Sequence, residues 1–165
     1  MHATETISVP VRLDFDGLAP KVGRAVSQLD GAATAILDEA NIDHRLRELL
    51  RVRVSQINGW AYCIDMHSKD AMVVGESEER LYAINAWRET PYLTAQERAA
   101  LAFVESVATM NQTHVPDDDF AAVSKEFSPQ EVAALLSLVM PITAWNAIGV
   151  TTHQWEPGSY DPGER

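Results

Sequence analysis

Residues 55–71 read Ser-Gln-Ile-Asn-Gly-Trp-Ala-Tyr-Cys-Ile-Asp-Met-His-Ser-Lys-Asp-Ala and join the end of one predicted helix to the start of the next. The pair Asn58-Gly59 favours positive φ, which ends the first helix. Cys63, the only cysteine of the chain, then lies in the first turn of the second helix. His67 follows four residues later, so the two side chains share one helical face. The stretch predicts a helix, a turn and a helix that carries a thiol beside an imidazole.

The remaining sequence is also helical in pattern. Apolar residues recur with helical spacing, and capping signals such as Thr94-Ala-Gln-Glu and Ser128-Pro-Gln-Glu precede several runs. Helices are predicted over residues 21–40, from Asp43, over about 60–74, from Ser77 to before Pro91, from Thr94, from Pro116, and from Ser128 through a kink at Pro141. No segment alternates convincingly with period two. The predicted fold is all-α, with about six to eight helices.

The chain of 165 residues has the length of one domain. We expect residues 1–165 to form a single domain with a core over about residues 20–153. The first 20 residues are expected to form an irregular arm. The tail after residue 153 has few apolar residues, so we expect it to be free or laid on a partner subunit.

The composition excludes several classes of partner. The formal net charge is -11, from 24 acidic and 13 basic residues, so nucleic-acid phosphates and anionic membranes are not expected partners. Met1–Thr6 carries no secretory signal, and no apolar run is expected to reach the roughly 20 residues that span a bilayer. A single cysteine cannot form an internal disulfide. Together these features predict a soluble, cytoplasmic protein.

Two interpretations of Cys63 stay open at this stage. A free cysteine is often a small buried hydrophobe. The alternative is a reactive thiol, because the positive end of the helix dipole and an acceptor at His67 both favour the thiolate. The reactive interpretation predicts a lowered thiol pKa. Glu48 lies off the apolar stripe of its helix, which is typical of a solvated glutamate.

Four segments together resemble the AhpD-like alkylhydroperoxidase core of the carboxymuconolactone decarboxylase superfamily: Glu48, residues 55–71, residues 93–102 and residues 144–148. The family pattern is a glutamate, eleven residues, a CxxC pair, three residues and a histidine. Glu48, Cys63 and His67 match the glutamate, the second cysteine and the histidine. The resemblance implies that Cys63 is the reactive thiol, that His67 and Glu48 relay protons, and that Tyr62 occupies a further relay position. It also implies a homo-oligomer, a trimer or a hexamer.

The chain departs from this pattern at Trp60, which stands where the first cysteine of the pair would be. A sulfenic acid at Cys63 would have no internal thiol to resolve it. The resemblance therefore implies a peroxidase with one cysteine, resolved by an external thiol or a second subunit. The alternatives are a non-redox lyase or small-molecule binder, with Trp60 lining an apolar pocket beside Glu48 and His67, and a catalytically silent member. The expected ligand is a small molecule, with no cofactor and no metal.

Overall fold

The computed structural model describes residues 7–164, apart from the side chain of residue 164. Within this range the chain forms helices and no strand, which confirms the all-α prediction. The nine α-helices of the described residues are α1 Phe15–Leu18, α2 Pro20–Glu39, α3 His44–Asn58, α4 Ala61–Val73, α5 Glu78–Ala83, α6 Ala95–Ala108, α7 Met110–Thr113, α8 Asp117–Glu126 and α9 Pro129–Thr152. A 3₁₀ helix, Ile84–Glu89, follows α5, and a second one spans Pro162–Glu164.

The helix ends follow the predicted local signals. The Asp43 carboxylate accepts hydrogen bonds from the first backbone N–H groups of α3. Gly59 ends α3 with φ 75°, the left-handed conformation that glycine adopts without strain. Thr94 and Ser128 both form complete capping boxes, at the starts of α6 and α9. Local chemistry therefore determines where these helices begin and end.

Helix α3 lies at the centre of the domain, where it packs against α4, α6 and α9, while α2 lies along α9. Leucine and valine side chains fill the space between these helices. Each of these buried leucines contributes roughly 1.5–3 kcal/mol through burial alone. The largest fully buried apolar side chains include Leu37, Leu49, Leu50, Ile84, Leu101, Leu135 and Leu138.

Helix α9 corrects one expectation from the sequence. It has 24 residues and is apolar enough, by length and composition, to cross a membrane, although no such run was expected. Half of its most apolar window is buried inside the protein, because α2, α3 and α6 pack around it. The helix continues through Pro141, which is itself buried. In this fold α9 is a core helix, with α2, α3 and α6 packed against it.

Both ends of the described chain are more ordered than expected. The N-terminal arm contains α1, which the Asp14 side chain caps, and the Arg12 N–H donates to the Thr152 carbonyl over 2.7 Å. The C-terminal tail lies against α4 of the same chain, so the expectation of a free or partner-bound tail is wrong. Polar contacts hold this segment, and the expectation was wrong because it considered only the small number of apolar residues. The expectation about Met1–Thr6 lies outside the described residues.

Candidate functional site

Helices α3 and α4 bring Glu48 and His67 together. The Glu48 Oε2 atom lies 2.8 Å from His67 Nδ1. The other oxygen, Oε1, accepts a hydrogen bond from Arg51 Nη1 over 2.5 Å. Glu48 is only 9% exposed and His67 8%, so the interpretation of Glu48 as a solvated glutamate is wrong. It is wrong because α4 packs over the face of α3 on which Glu48 lies.

The charge state of Glu48 follows from these contacts. Burial on its own raises the pKa of a carboxyl group. At Glu48 the hydrogen bond and charge of His67, together with the charge of Arg51, outweigh burial, so the pKa lies below its usual value. Glu48 is therefore a carboxylate at neutral pH. A carboxylate only accepts hydrogen bonds, so His67 Nδ1 carries a hydrogen, and in the neutral form of the imidazole Nε2 is the nitrogen without one.

A cavity of about 180 Å³ lies beside this pair. Its wall is mainly apolar and aromatic, with one acidic and one basic side chain. The lining residues are Asp30, Arg51, Tyr62, Cys63, Met66, His67, Ile142, Trp145 and Trp155. Glu48 lies behind this wall and contacts two of its members, Arg51 and His67. A thiol, an imidazole and a guanidinium thus face one small, largely apolar space.

Cys63 lines the cavity but is only 3% exposed. The pKa of its thiol is raised to about 12: burial raises it most, the amide of Asn146 lowers it, and the charge of the nearby Asp30 raises it. The prediction of a lowered thiol pKa is therefore wrong. The position of Cys63 in the first turn of α4 was predicted correctly, but the surrounding helices remove water from the sulfur. At neutral pH Cys63 is a protonated thiol.

Asn146 is a buried amide of α9 close to the thiol. It is 1% exposed, donates to Ser55 Oγ over 3.3 Å and accepts from Asn58 Nδ2 over 3.0 Å. The same amide also lowers the pKa of the Cys63 thiol, against the effect of burial. This amide ties the end of α3 to α9 and fixes the polar environment of the thiol. The sequence feature that could have identified this residue is an asparagine inside an otherwise apolar helix.

Trp60 fills space and does not line the cavity. Its indole lies against Gly149 of α9, so closely that a Cβ placed there would come 2.3 Å from Trp60 Cε2. The ring of His153 stacks on it, with centroids 6.2 Å apart. Trp60 is 6% exposed, and its Nε1 has no hydrogen-bond partner. The bulky residue is accommodated because α9 presents a glycine to it.

Tyr62, unlike Trp60, lines the cavity. Burial raises the pKa of its phenol, and the neighbouring acidic groups Cys63 and Asp65 add to this shift. Tyr62 is therefore a neutral hydroxyl beside the thiol.

Six further lining residues were not among the predicted site residues: Asp30, Arg51, Met66, Ile142, Trp145 and Trp155. Asp30 comes from α2 and Trp155 from beyond α9, so no spacing along the chain relates them to Cys63. Arg51 could have been found, because it follows Glu48 by three residues and therefore lies on the same helical face. The sequence alone did not distinguish it from a solvated arginine.

Glu48, His67 and Asp70 bring donor atoms within 4.8 Å of one another, a spacing that three ligands of one cation could have. In this structure these atoms contact protein groups instead. Glu48 accepts from Arg51 and His67, and Asp70 Oδ1 accepts from the Tyr160 hydroxyl over 2.7 Å. The arrangement is a hydrogen-bonded cluster behind the cavity.

Comparison with known proteins places this geometry in a family. The sequence profile of the carboxymuconolactone decarboxylase family matches residues 20–106. The uncharacterized protein YdfG of Bacillus subtilis is 36% identical over 112 residues, which are 68% of this chain and 76% of YdfG.

Solved structures share the same fold. A protein of unknown function from Agrobacterium tumefaciens, proposed to be an antioxidant defence protein AhpD, superposes with a TM-score of 0.83 and 32% identity. The alignment covers 90% of this chain and 99% of that one. The debrominase Bmp8 superposes with a TM-score of 0.71 and 19% identity, over 86% of this chain and 74% of its own, a likeness of fold alone. The chain therefore belongs to the carboxymuconolactone decarboxylase family and has the AhpD-like fold.

Proposed function

We propose that the protein is a one-cysteine AhpD-like peroxidase that reduces hydroperoxides at Cys63. One observation carries this proposal: Cys63 and His67 line the same small cavity, and Glu48 holds His67 from behind. A nucleophile, a base and a third group that orients the base form the usual arrangement for an activated nucleophile. The apolar remainder of the wall suits the organic part of a hydroperoxide.

The raised pKa of Cys63 determines how the reaction starts. With a pKa of about 12 the thiol is protonated at pH 7, so the proton must leave as the sulfur attacks. His67 Nε2 accepts this proton, and Glu48 stabilises the imidazolium that forms. The sulfur bonds to one peroxide oxygen, the O–O bond breaks, and His67 returns the proton to the departing alkoxide. The products are an alcohol and a sulfenic acid at Cys63.

Recovery of the thiol needs a reductant from outside the chain, because the sequence has no second cysteine. An external thiol condenses with the sulfenic acid, forms a mixed disulfide and releases water. A second external thiol attacks the external sulfur of this mixed disulfide. Cys63 leaves as the restored thiol, and the two external thiols are released joined in a disulfide. A reducing compartment such as the cytoplasm supplies such thiols, so we propose a cytoplasmic location. A trimer or a hexamer is the proposed assembly.

The test is a peroxidase assay with cumene hydroperoxide and dithiothreitol, run on the wild type, Cys63→Ser and Trp60→Cys. We expect Cys63→Ser to abolish turnover, and dimedone to trap a sulfenic acid at Cys63 in the wild type when the reductant is omitted. Trp60→Cys restores the CxxC pair, so it should raise turnover at low external thiol. Undiminished turnover in Cys63→Ser would refute the proposal.

A second function is favoured by the neutral state of Cys63: acid–base chemistry by His67 and Glu48 on a small molecule, without a redox step. The observation behind it is that the carboxylate–imidazole pair is complete in this structure, whereas the thiol is not ionised. Under this function Cys63→Ser keeps activity, while Glu48→Gln and His67→Ala lose it. Cys63→Ser therefore distinguishes the two functions, because only the peroxidase needs the thiol.

A further inference from the structure

The C-terminal strap, defined as residues 154–162, crosses the outside of the cavity. It leaves α9 at His153, whose φ of 56° turns the chain sharply. The next side chain, Gln154, accepts the backbone N–H of Phe15 over 2.8 Å, which fixes the start of the strap to α1. Beyond this point the chain returns along α4, the helix that carries Cys63 and His67.

The strap places one side chain in the cavity wall, Trp155. Its ring meets Trp145 of α9 edge to face, with centroids 5.7 Å apart and an angle of 76°. It also lies against Tyr62 of α4, with centroids 6.2 Å apart. Three aromatic rings from three segments therefore form one side of the cavity, and only one of them comes from outside the helical core.

Three polar contacts join the strap to α4, and an ion pair within α4, Asp65–Lys69, links two of them. The Asp65 carboxylate accepts from the Gly158 N–H over 3.1 Å and from Lys69 Nζ over 2.8 Å. Lys69 Nζ also donates to the Tyr160 carbonyl over 2.9 Å. The Tyr160 hydroxyl donates to Asp70 Oδ1 over 2.7 Å. One face of α4 thus lines the cavity while the adjacent face anchors the segment that covers it.

These anchors are weaker than the packing of the core. Residues 156–159 are exposed, and Trp155 and Tyr160 are only partly buried. A partly exposed hydrogen bond contributes far less net stability than the burial of a helix face. Segments held mainly by such bonds open at a smaller free energy than the whole protein needs to unfold. The strap can therefore open while α3, α4 and α9 stay packed.

We infer that the strap is a gate and that Trp155 determines which molecules reach the Cys63 sulfur. Cys63 is 3% exposed and shares the cavity wall with Trp155, so a molecule too large for about 180 Å³ reaches the sulfur only when Trp155 moves away. Small molecules reach the sulfur while the strap is in place, whereas bulky molecules reach it only when the strap has opened. This inference rests on the proposed function only in naming the bulky molecule, the external thiol that resolves Cys63.

The experiment compares two reagents of the same chemistry and different size, N-methylmaleimide and N-phenylmaleimide. Both react with the single cysteine of the chain, so the rate of adduct formation by mass spectrometry reports access to Cys63. The variants are Trp155→Ala, which removes the wall, and Tyr160→Phe, which removes one anchoring hydroxyl. Tyr82→Phe is the matched control, because its hydroxyl also donates to a carboxylate, Glu78, over 2.6 Å, away from the strap.

We expect Tyr160→Phe to raise the rate with N-phenylmaleimide about fivefold, the population change that follows from one lost hydrogen bond. Trp155→Ala should raise the rate with N-phenylmaleimide further. In both variants the rate with N-methylmaleimide should change less than about twofold. Tyr82→Phe should change neither rate. Equal acceleration of both reagents, or no acceleration of the larger one, would overturn the gate. If Trp155→Ala does not fold, Tyr160→Phe decides the question.

The measurement involves no hydroperoxide and no turnover. Its failure would remove the gate and leave the proposed peroxidase standing. If the peroxidase assay fails but alkylation still depends on reagent size, the proposed reaction is refuted and the gate is supported. The two proposals can therefore fail separately.

Discussion

The Glu48 Oε2 atom lies 2.8 Å from His67 Nδ1, across the contact between two helices and 19 positions apart in the chain. The same carboxylate holds Arg51 through its other oxygen. One buried side chain thus orients the imidazole and the guanidinium that face the cavity.

Replacement of this carboxylate should impair the reaction and preserve the fold. Glu48→Gln keeps a hydrogen-bond acceptor but loses the charge that stabilises a protonated His67, so we expect kcat/KM for hydroperoxide to fall about 10–100-fold. Glu105→Gln is the matched control. Glu105 is also a well-bonded carboxylate, held by Arg53, Trp87 and Arg88. It does not line the cavity, so Glu105→Gln should leave kcat/KM nearly unchanged.

Glu48 should also stabilise the protein in a pH-dependent way. Its pKa in the folded state lies below the ordinary value of 4.5, so the unfolded state binds more protons near that pH. The stabilisation is present above pH 4.5 and is lost as the pH falls through the folded-state pKa. We expect the difference in free energy of unfolding between wild type and Glu48→Gln to shrink on acidification below pH 4.5. Urea titrations from pH 7 to pH 3 measure it, and a constant difference would contradict the assignment.

Cys63 should titrate far above a free thiol. The rate of alkylation by iodoacetamide should rise with pH without a midpoint near 9.0, the ordinary value, because the folded thiol has a pKa of about 12. Asp30→Asn removes a nearby negative charge and should shift the profile to lower pH. Stability should also fall above pH 9.0, since the unfolded thiol ionises there while the folded one does not. A midpoint at or below 9.0 would contradict the burial of the sulfur.

Trp60 and Gly149 should be energetically coupled. Gly149→Ala places a Cβ 2.3 Å from Trp60 Cε2, so it should lower the free energy of unfolding by about 1–3 kcal/mol. In a Trp60→Cys background the indole is absent, and the same methyl group should be neutral or stabilising because it fills part of the cavity left behind. Urea unfolding of the four proteins of this double-mutant cycle gives the coupling. Additive effects would show that the two residues do not share space.

The helices could be predicted from local sequence because their limits depend on neighbouring residues. Asp43, Gly59, Thr94 and Ser128 act within one turn of their own positions, and all four act as predicted. The short helix α1 was not predicted, although Asp14 caps it by the same local chemistry. The C-terminal strap was predicted wrongly, because its anchors on Asp65 and Lys69 lie about 90 residues away in the chain.

The sequence by itself determined the all-α fold, the family, and the placement of Cys63 and His67 on one helical face, since these depend on periodicity, capping and a short motif. Only the tertiary structure showed that Glu48 is buried against His67, that Trp155 lines the cavity and that the amide of Asn146 affects the thiol. Tertiary structure also reversed the predicted pKa of Cys63. A helix dipole and a nearby histidine can be seen in a sequence, whereas the removal of water by three other helices cannot. At Cys63 that desolvation outweighs the local effects.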